Sequence, residues 1–154
     1  MRCLYFDIDG TVVHESIYEV KPALGEGRFQ DLVTRCGFDQ VFCVSNMITT
    51  IELVREHGVT EDGSEIIYGY CGGAFTDEEW VRENVKLIHN PERRVQSIDF
   101  AGDWWFVDNE ARYYFECEDR VDDFVRFHGT RVCMPTDDGD GVDVANWLEG
   151  LRTR

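Results

Sequence analysis

Two aspartates one residue apart, Asp7 and Asp9, close the apolar run 3–6 and lead into Gly10 and Thr11. A strand that ends in Asp-x-Asp at the edge of a buried sheet puts two carboxylates at the rim of an apolar interior. They are costly there unless a cation or hydrogen bonds satisfy them. A turn carrying two solvated aspartates is the plainer reading of the same residues. A second apolar run, 40–44, ends in Ser45-Asn46. A small hydroxyl ahead of a helix start can hold a phosphate oxygen with its side chain and the nearby backbone N–H groups, although Ser-Asn there also serves simply as a helix cap. A third run, 104–107, ends in Asp108-Asn109-Glu110, oxygen donors of the kind a hard divalent cation prefers.

The residues around the aspartate pair, LYFDIDGTV at 4–12, resemble the first motif of the haloacid dehalogenase (HAD) superfamily of phosphatases and phosphotransferases. By that resemblance Asp7 is the nucleophile that attacks phosphorus and Asp9 the general acid/base. The roles are chemically coherent. A carboxylate nucleophile forms an acyl phosphate that divides one difficult hydrolysis into two easier steps. A second carboxyl can protonate the leaving oxygen and then activate water. Ser45-Asn46, 38 residues after Asp7, is similar to the family's second motif and is thereby expected to bind phosphate.

The family's third motif is a lone basic residue at or near a helix. Lys86 is the choice here: it is one of only two lysines, lies 22 residues before Asp108 and precedes Asn90-Pro91. Arg93 and Arg94 are the competitors, and a solvated lysine on a helix face is the bland alternative. The fourth motif places acidic residues at a strand end to bind Mg²⁺. Asp108 serves in either of two registers, one continuing through Asn109, where many relatives have a second aspartate, and one beginning at Gly102-Asp103. The resemblance implies a metal held by Asp7, the Asp9 backbone carbonyl and Asp108.

The elements that must position these residues follow from the hydrophobic pattern. Runs 3–6, 40–44, 104–107 and 131–134 have strand length, with 66–70 a weaker fifth. Between them lie helical patterns at 27–36, 48–57, 76–88, 110–128 and 142–151, the third opened by a Thr76–Glu79 capping box. Strands alternating with helices give βαβ units and right-handed crossovers. The expected fold is a three-layer α/β/α, Rossmann-like single domain over residues 1–154, with a mainly parallel sheet of the HAD type and ligands at the carboxyl ends of the strands.

Composition narrows the function classes. The chain has 154 residues, 43% hydrophobic and 13% aromatic, with a formal net charge of -16, enough apolar material for a packed core. The mean negative field weighs against nucleic acid and anionic membrane surfaces as partners. Six dispersed cysteines form no C-x-x-C pair, which suits reduced core thiols and a cytoplasmic location. The spacing at 138–149 misses the acceptor and glycine of a calcium loop, and the acidic residues 116–123 read as a solvated helix face. Neither the stretch from Asp7 to Ser45 nor that from Ser45 to Lys86 has room for a cap of 60 or more residues. The first holds a flap over 10–22 and one helix. The resemblance then implies an open site and a bulky phosphorylated substrate, or capping by another subunit. The expected activity is Mg²⁺-dependent phosphomonoester hydrolysis, with phosphotransfer or a non-catalytic HAD-fold binding module as alternatives.

Overall fold

The computed structural model describes residues 1–15, 20–45, 67–69, 71, 73–88, 91–136 and 141–152. Five strands form one sheet in the order β5-β4-β1-β6-β7, where β1 is Arg2–Phe6, β4 Gln40–Cys43, β5 Val85–Leu87, β6 Asp103–Val107 and β7 Val132–Cys133. Every pairing in it is parallel. Two further strands among the described residues, β2 (Val13–Glu15) and β3 (Val20–Pro22), make a separate antiparallel pair within the stretch read as a flap.

Side-chain alternation builds two cores. Leu4 and Phe6 of β1 face a cluster with Phe29, Leu32 and Val33 of α1 (Arg28–Arg35), Val81 of α2 (Glu78–Asn84), and Val144 and Leu148 of α5 (Val142–Leu151). Tyr5 faces the opposite cluster, with Val95 and Ile98, Phe115 of α3 (Ala111–Cys117) and Phe124 of α4 (Val121–Phe127). Adjacent strand residues point to opposite faces. Trp104 thus packs among Phe100 and Phe127, while Trp105 packs on Trp147. Both tryptophans are spent on packing.

Several elements depart from the sequence pattern. The weak strand at 66–70 is helical where it is described, at 67–69, with the Cys71 N–H donating to the Ile67 carbonyl at 3.1 Å. The fifth strand is β5 instead, so the helix expected over 76–88 ends at Asn84. Its cap is Asp77, whose carboxylate accepts from the Trp80 N–H at 3.1 Å. The Thr76 N–H is held by Gln30 at 3.0 Å, so the expected capping box does not form. The helix expected over 110–128 is two helices, α3 and α4, broken at Asp119, whose φ of 57° is left-handed. The helix expected over 48–57 lies outside the described residues.

Strand order determines where a site can form. From β1 the chain adds β4 and β5 on one side, then returns to add β6 and β7 on the other. The order therefore reverses about β1, and in open parallel sheets ligands bind outside the carboxyl ends of the strands at such a point. Asp7, Ser45 and Asp108 all follow the carboxyl ends of the three central strands.

Candidate active site

Beyond β1 the chain turns at once. The Ile8 carbonyl accepts from the N–H groups of Thr11, Val12 and Val13 at 3.0–3.1 Å, and the Gly10 N–H donates to the Val13 carbonyl at 2.9 Å. Gly10 holds this turn at φ 77°. A Cβ there would stand 2.3 Å from the Asn109 side chain, so glycine is required by both conformation and space. The turn leaves Asp7 buried and Asp9 half-buried.

Opposite Asp7, β6 ends in Asp108, which is fully buried. One guanidinium nitrogen of Arg94, Nη1, donates to Asp7 Oδ1 at 3.1 Å and to Asp108 Oδ2 at 2.7 Å. The other Asp108 oxygen accepts the Glu110 N–H at 2.8 Å, at the start of α3. The Arg94 guanidinium carbon lies 3.7 Å from the centre of the Tyr114 ring. Arg94 is 2% exposed, and a planar cation that stacks and donates suits such a place.

Asp7 Oδ2 has its own partners. The Thr11 hydroxyl donates to it at 3.3 Å and accepts the Asn109 N–H at 3.0 Å. The Asn109 carboxamide is oriented by its surroundings, as amides must be. With nitrogen inward it donates to Asp7 Oδ2 and to the Asp9 carbonyl, each at 3.1 Å.

The electrostatics follow from this crowding. Burial, reinforced by the Asp108 charge, pushes the Asp7 carboxyl up to about 8 against the pull of Arg94. Burial likewise raises the Asp108 carboxyl, opposed by Arg94 and the Glu110 N–H. Burial works against the Arg94 charge, but the two carboxylates outweigh it and raise the Arg94 pKa. The nearby thiols stay protonated and are poor nucleophiles, because burial pushes Cys43 up to about 12 and Cys71 well above the usual range.

The structure thus brings together Asp7, Asp108 and Asn109, with the Asp9 carbonyl among them, and adds Arg94 where Lys86 was expected. Lys86 is not at the carboxylates. It stands on β5 level with Phe42, its side chain exposed along a groove with Tyr5, Phe42 and Arg93. The physical reason is the early end of α2: Lys86 issues from mid-strand instead of from a helix facing the site. Ser45 is buried just beyond β4, and Asn46 lies outside the described residues. Asp103 is at the far, amino end of β6, bound to Arg131 at 2.9 Å and to the Trp105 indole at 2.9 Å. The strand therefore separates it from Asp108, which excludes it from this cluster.

Glu118 was missed. Its carboxylate accepts the N–H groups of Val95 and Gln96 at 2.9 and 2.7 Å, and so anchors the 3₁₀ segment Pro91–Ser97 that delivers Arg94. Position within an acidic run gave no sign of this.

The donor set suits a small divalent cation. Among the described residues no three His, Cys, Asp or Glu side chains converge as metal ligands. The oxygens that do converge are Asp7 Oδ2 and the Asp9 carbonyl, with the Asn109 amide nitrogen donating to both. Hard oxygen donors of this kind are what Mg²⁺ takes.

Comparison of the chain with protein-family models, with curated proteins and with solved structures finds no match.

Proposed function

We propose that this protein is a Mg²⁺-dependent phosphatase that hydrolyses a phosphomonoester through an aspartyl phosphate on Asp7. The observation that carries the reading is the Arg94 guanidinium shared by Asp7 and Asp108, 3.1 and 2.7 Å away, at the point where strand order reverses. A buried carboxylate paired with a fixed cation suits a site whose work is positioning and charge neutralisation, as phosphoryl transfer requires. The LYFDIDGTV motif supports the assignment of roles within the cluster.

In this reading an oxygen of Asp7 attacks phosphorus and the bond to the alcohol oxygen breaks, with Asp9 supplying the proton to the departing alkoxide. Water then attacks the same phosphorus, giving up a proton to Asp9, and the Asp7–phosphate bond breaks to release inorganic phosphate. Arg94 holds Asp7 in place and offsets charge between it and Asp108, while Ser45 holds a phosphoryl oxygen at the end of β4. Thr11 orients Asp7 through the oxygen it donates to. Asp7 Oδ2, the Asp9 carbonyl and either Asn109 or Asp108 would hold Mg²⁺. The ion, when bound, supplies neutralisation of the phosphoryl charge and favours the ionised Asp7.

One observation favours a second reading. Both Asp7 oxygens and both Asp108 oxygens already have protein donors, as they would in a structural ion cluster of a non-catalytic binding module. Release of inorganic phosphate from p-nitrophenyl phosphate separates the two readings. Turnover with Mg²⁺ that is lost in EDTA and in Asp7→Asn supports the phosphatase. Folded, Mg²⁺-loaded protein that is inactive toward a panel of aryl, sugar and peptide phosphates supports the module.

A further inference from the structure

The Asn109 carboxamide faces two acceptors, Asp7 Oδ2 and the Asp9 carbonyl, at 3.1 Å each with its inner atom, while its outer atom meets only donors in the reverse orientation. An amide with nitrogen inward satisfies both acceptors. With oxygen inward, the Asn109 oxygen would take a long hydrogen bond from the Thr11 hydroxyl at 3.4 Å and otherwise face the oxygens of Asp7 and Asp9, an arrangement that a cation relieves.

The spacing is compatible with an octahedral cation of the size of Mg²⁺. Octahedral Mg²⁺ with bonds of about 2.1 Å sets neighbouring ligand oxygens roughly 3.0 Å apart. The separations here are 3.1 Å. The residue is also held at its base, independently of which end of the amide faces inward. The Asn109 N–H is fixed by the Thr11 hydroxyl at 3.0 Å, and the missing Cβ of Gly10 leaves the space the side chain occupies. Rotation about the last side-chain bond exchanges the two ends without moving the chain.

We propose that Asn109 is the cation-responsive element of this site: its amide nitrogen stands in for the ion when none is bound, and its oxygen becomes a ligand when Mg²⁺ or Mn²⁺ enters. The inference rests on the cation site of the phosphatase reading, but not on turnover. Entry of the ion costs two amide hydrogen bonds and gains a neutral ligand, so Asn109 weakens cation affinity compared with a carboxylate. Asn109→Asp removes the donor and adds a charge.

The test is direct binding and thermal stability, with no substrate present. Mn²⁺ affinity by electron paramagnetic resonance should tighten about tenfold or more in Asn109→Asp, the range that ligand-sphere changes command. In EDTA Asn109→Asp should melt below the wild type, and Mg²⁺ should raise its Tm more than it raises the wild type's. The side-chain ¹⁵N resonance assigned to Asn109 should shift on saturation with Mg²⁺ in the wild type. Equal Mn²⁺ affinity in wild type and Asn109→Asp would overturn the proposal, as would a wild-type amide resonance indifferent to saturating Mg²⁺, or no Mn²⁺ binding at all. Cation binding with these signatures but no phosphatase activity would instead count against the phosphatase reading and leave the Asn109 assignment standing.

Discussion

Arg94 lies 3.7 Å from the centre of the Tyr114 ring, with one face of its guanidinium carried by an aromatic side chain of α3 while its Nη1 serves Asp7 and Asp108. The ring replaces water on a cation that the interior would otherwise expel, a contact worth about 2 kcal/mol when desolvated. The guanidinium plane is therefore set by packing.

Replacing the ring tests that arrangement. Tyr114→Phe keeps the aromatic face and should retain most of the wild-type stability and turnover. Tyr114→Leu should lose about 2 kcal/mol by urea unfolding and lower kcat more than it raises KM. Equal behaviour of the two variants would contradict the role given to the ring.

Removing the cation should be worse. Arg94→Ala strands two buried carboxylates, and breaking a buried pair in this way costs about 3–5 kcal/mol. A fall in Tm of roughly 10 °C is expected for a chain of this size. Arg94→Lys should recover part of the stability, because charge is restored without the planar fork. Calorimetry on the three proteins checks the order.

Asp7→Asn should separate stability from activity. It removes a carboxylate that burial and Asp108 both disfavour, so in metal-free buffer it should stabilise the fold by about 1 kcal/mol, within the range found when strained functional groups are relieved, while abolishing turnover. A destabilised Asp7→Asn would contradict the electrostatic account of the site.

The pH dependence has a definite sign. A carboxyl held above its unfolded value of about 4 binds its proton more tightly folded than unfolded. With Asp7 pushed up to about 8, the stability it contributes to metal-free protein is fully present at acid pH and is lost as pH rises from about 4 through about 8. Thermal melts in EDTA should show this decline, and Asp7→Asn should flatten it. Proton and cation compete for the same carboxylate, so Mg²⁺ affinity should climb with pH over that window. Isothermal titration calorimetry at pH 6 and pH 8 reads the difference.

Much of this was legible in the sequence, and the failures have physical causes. The central strands were visible because each is a short, near-continuous apolar run, as strands buried on both faces must be. Asp7, Ser45 and Asp108 were visible because each is the first polar residue where such a run ends or just beyond it. The edge strand β5 was not, because Val85-Lys86-Leu87 continues the apolar spacing of the helix before it. That error placed Lys86 on a helix and gave it the role of site cation. Arg94 was hidden as one of two adjacent arginines. What distinguishes it from exposed Arg93 is the non-helical kink at Arg93 (φ -116°, ψ 49°) and the Glu118 anchor, both tertiary. The contact of Asn109 with Asp7 and the Asp9 carbonyl joins two strand ends distant in sequence, which no local pattern records.

The central claim is that Asp7 becomes phosphorylated. Rapid acid quench of the Mg²⁺-loaded protein with ³²P-labelled p-nitrophenyl phosphate, followed by peptide mapping, reads this directly. A label that resists acid, yields to hydroxylamine, maps to the peptide containing Asp7 and is absent from Asp7→Asn is the predicted result. Phosphate release that proceeds with no label on that peptide and persists in Asp7→Asn would contradict it.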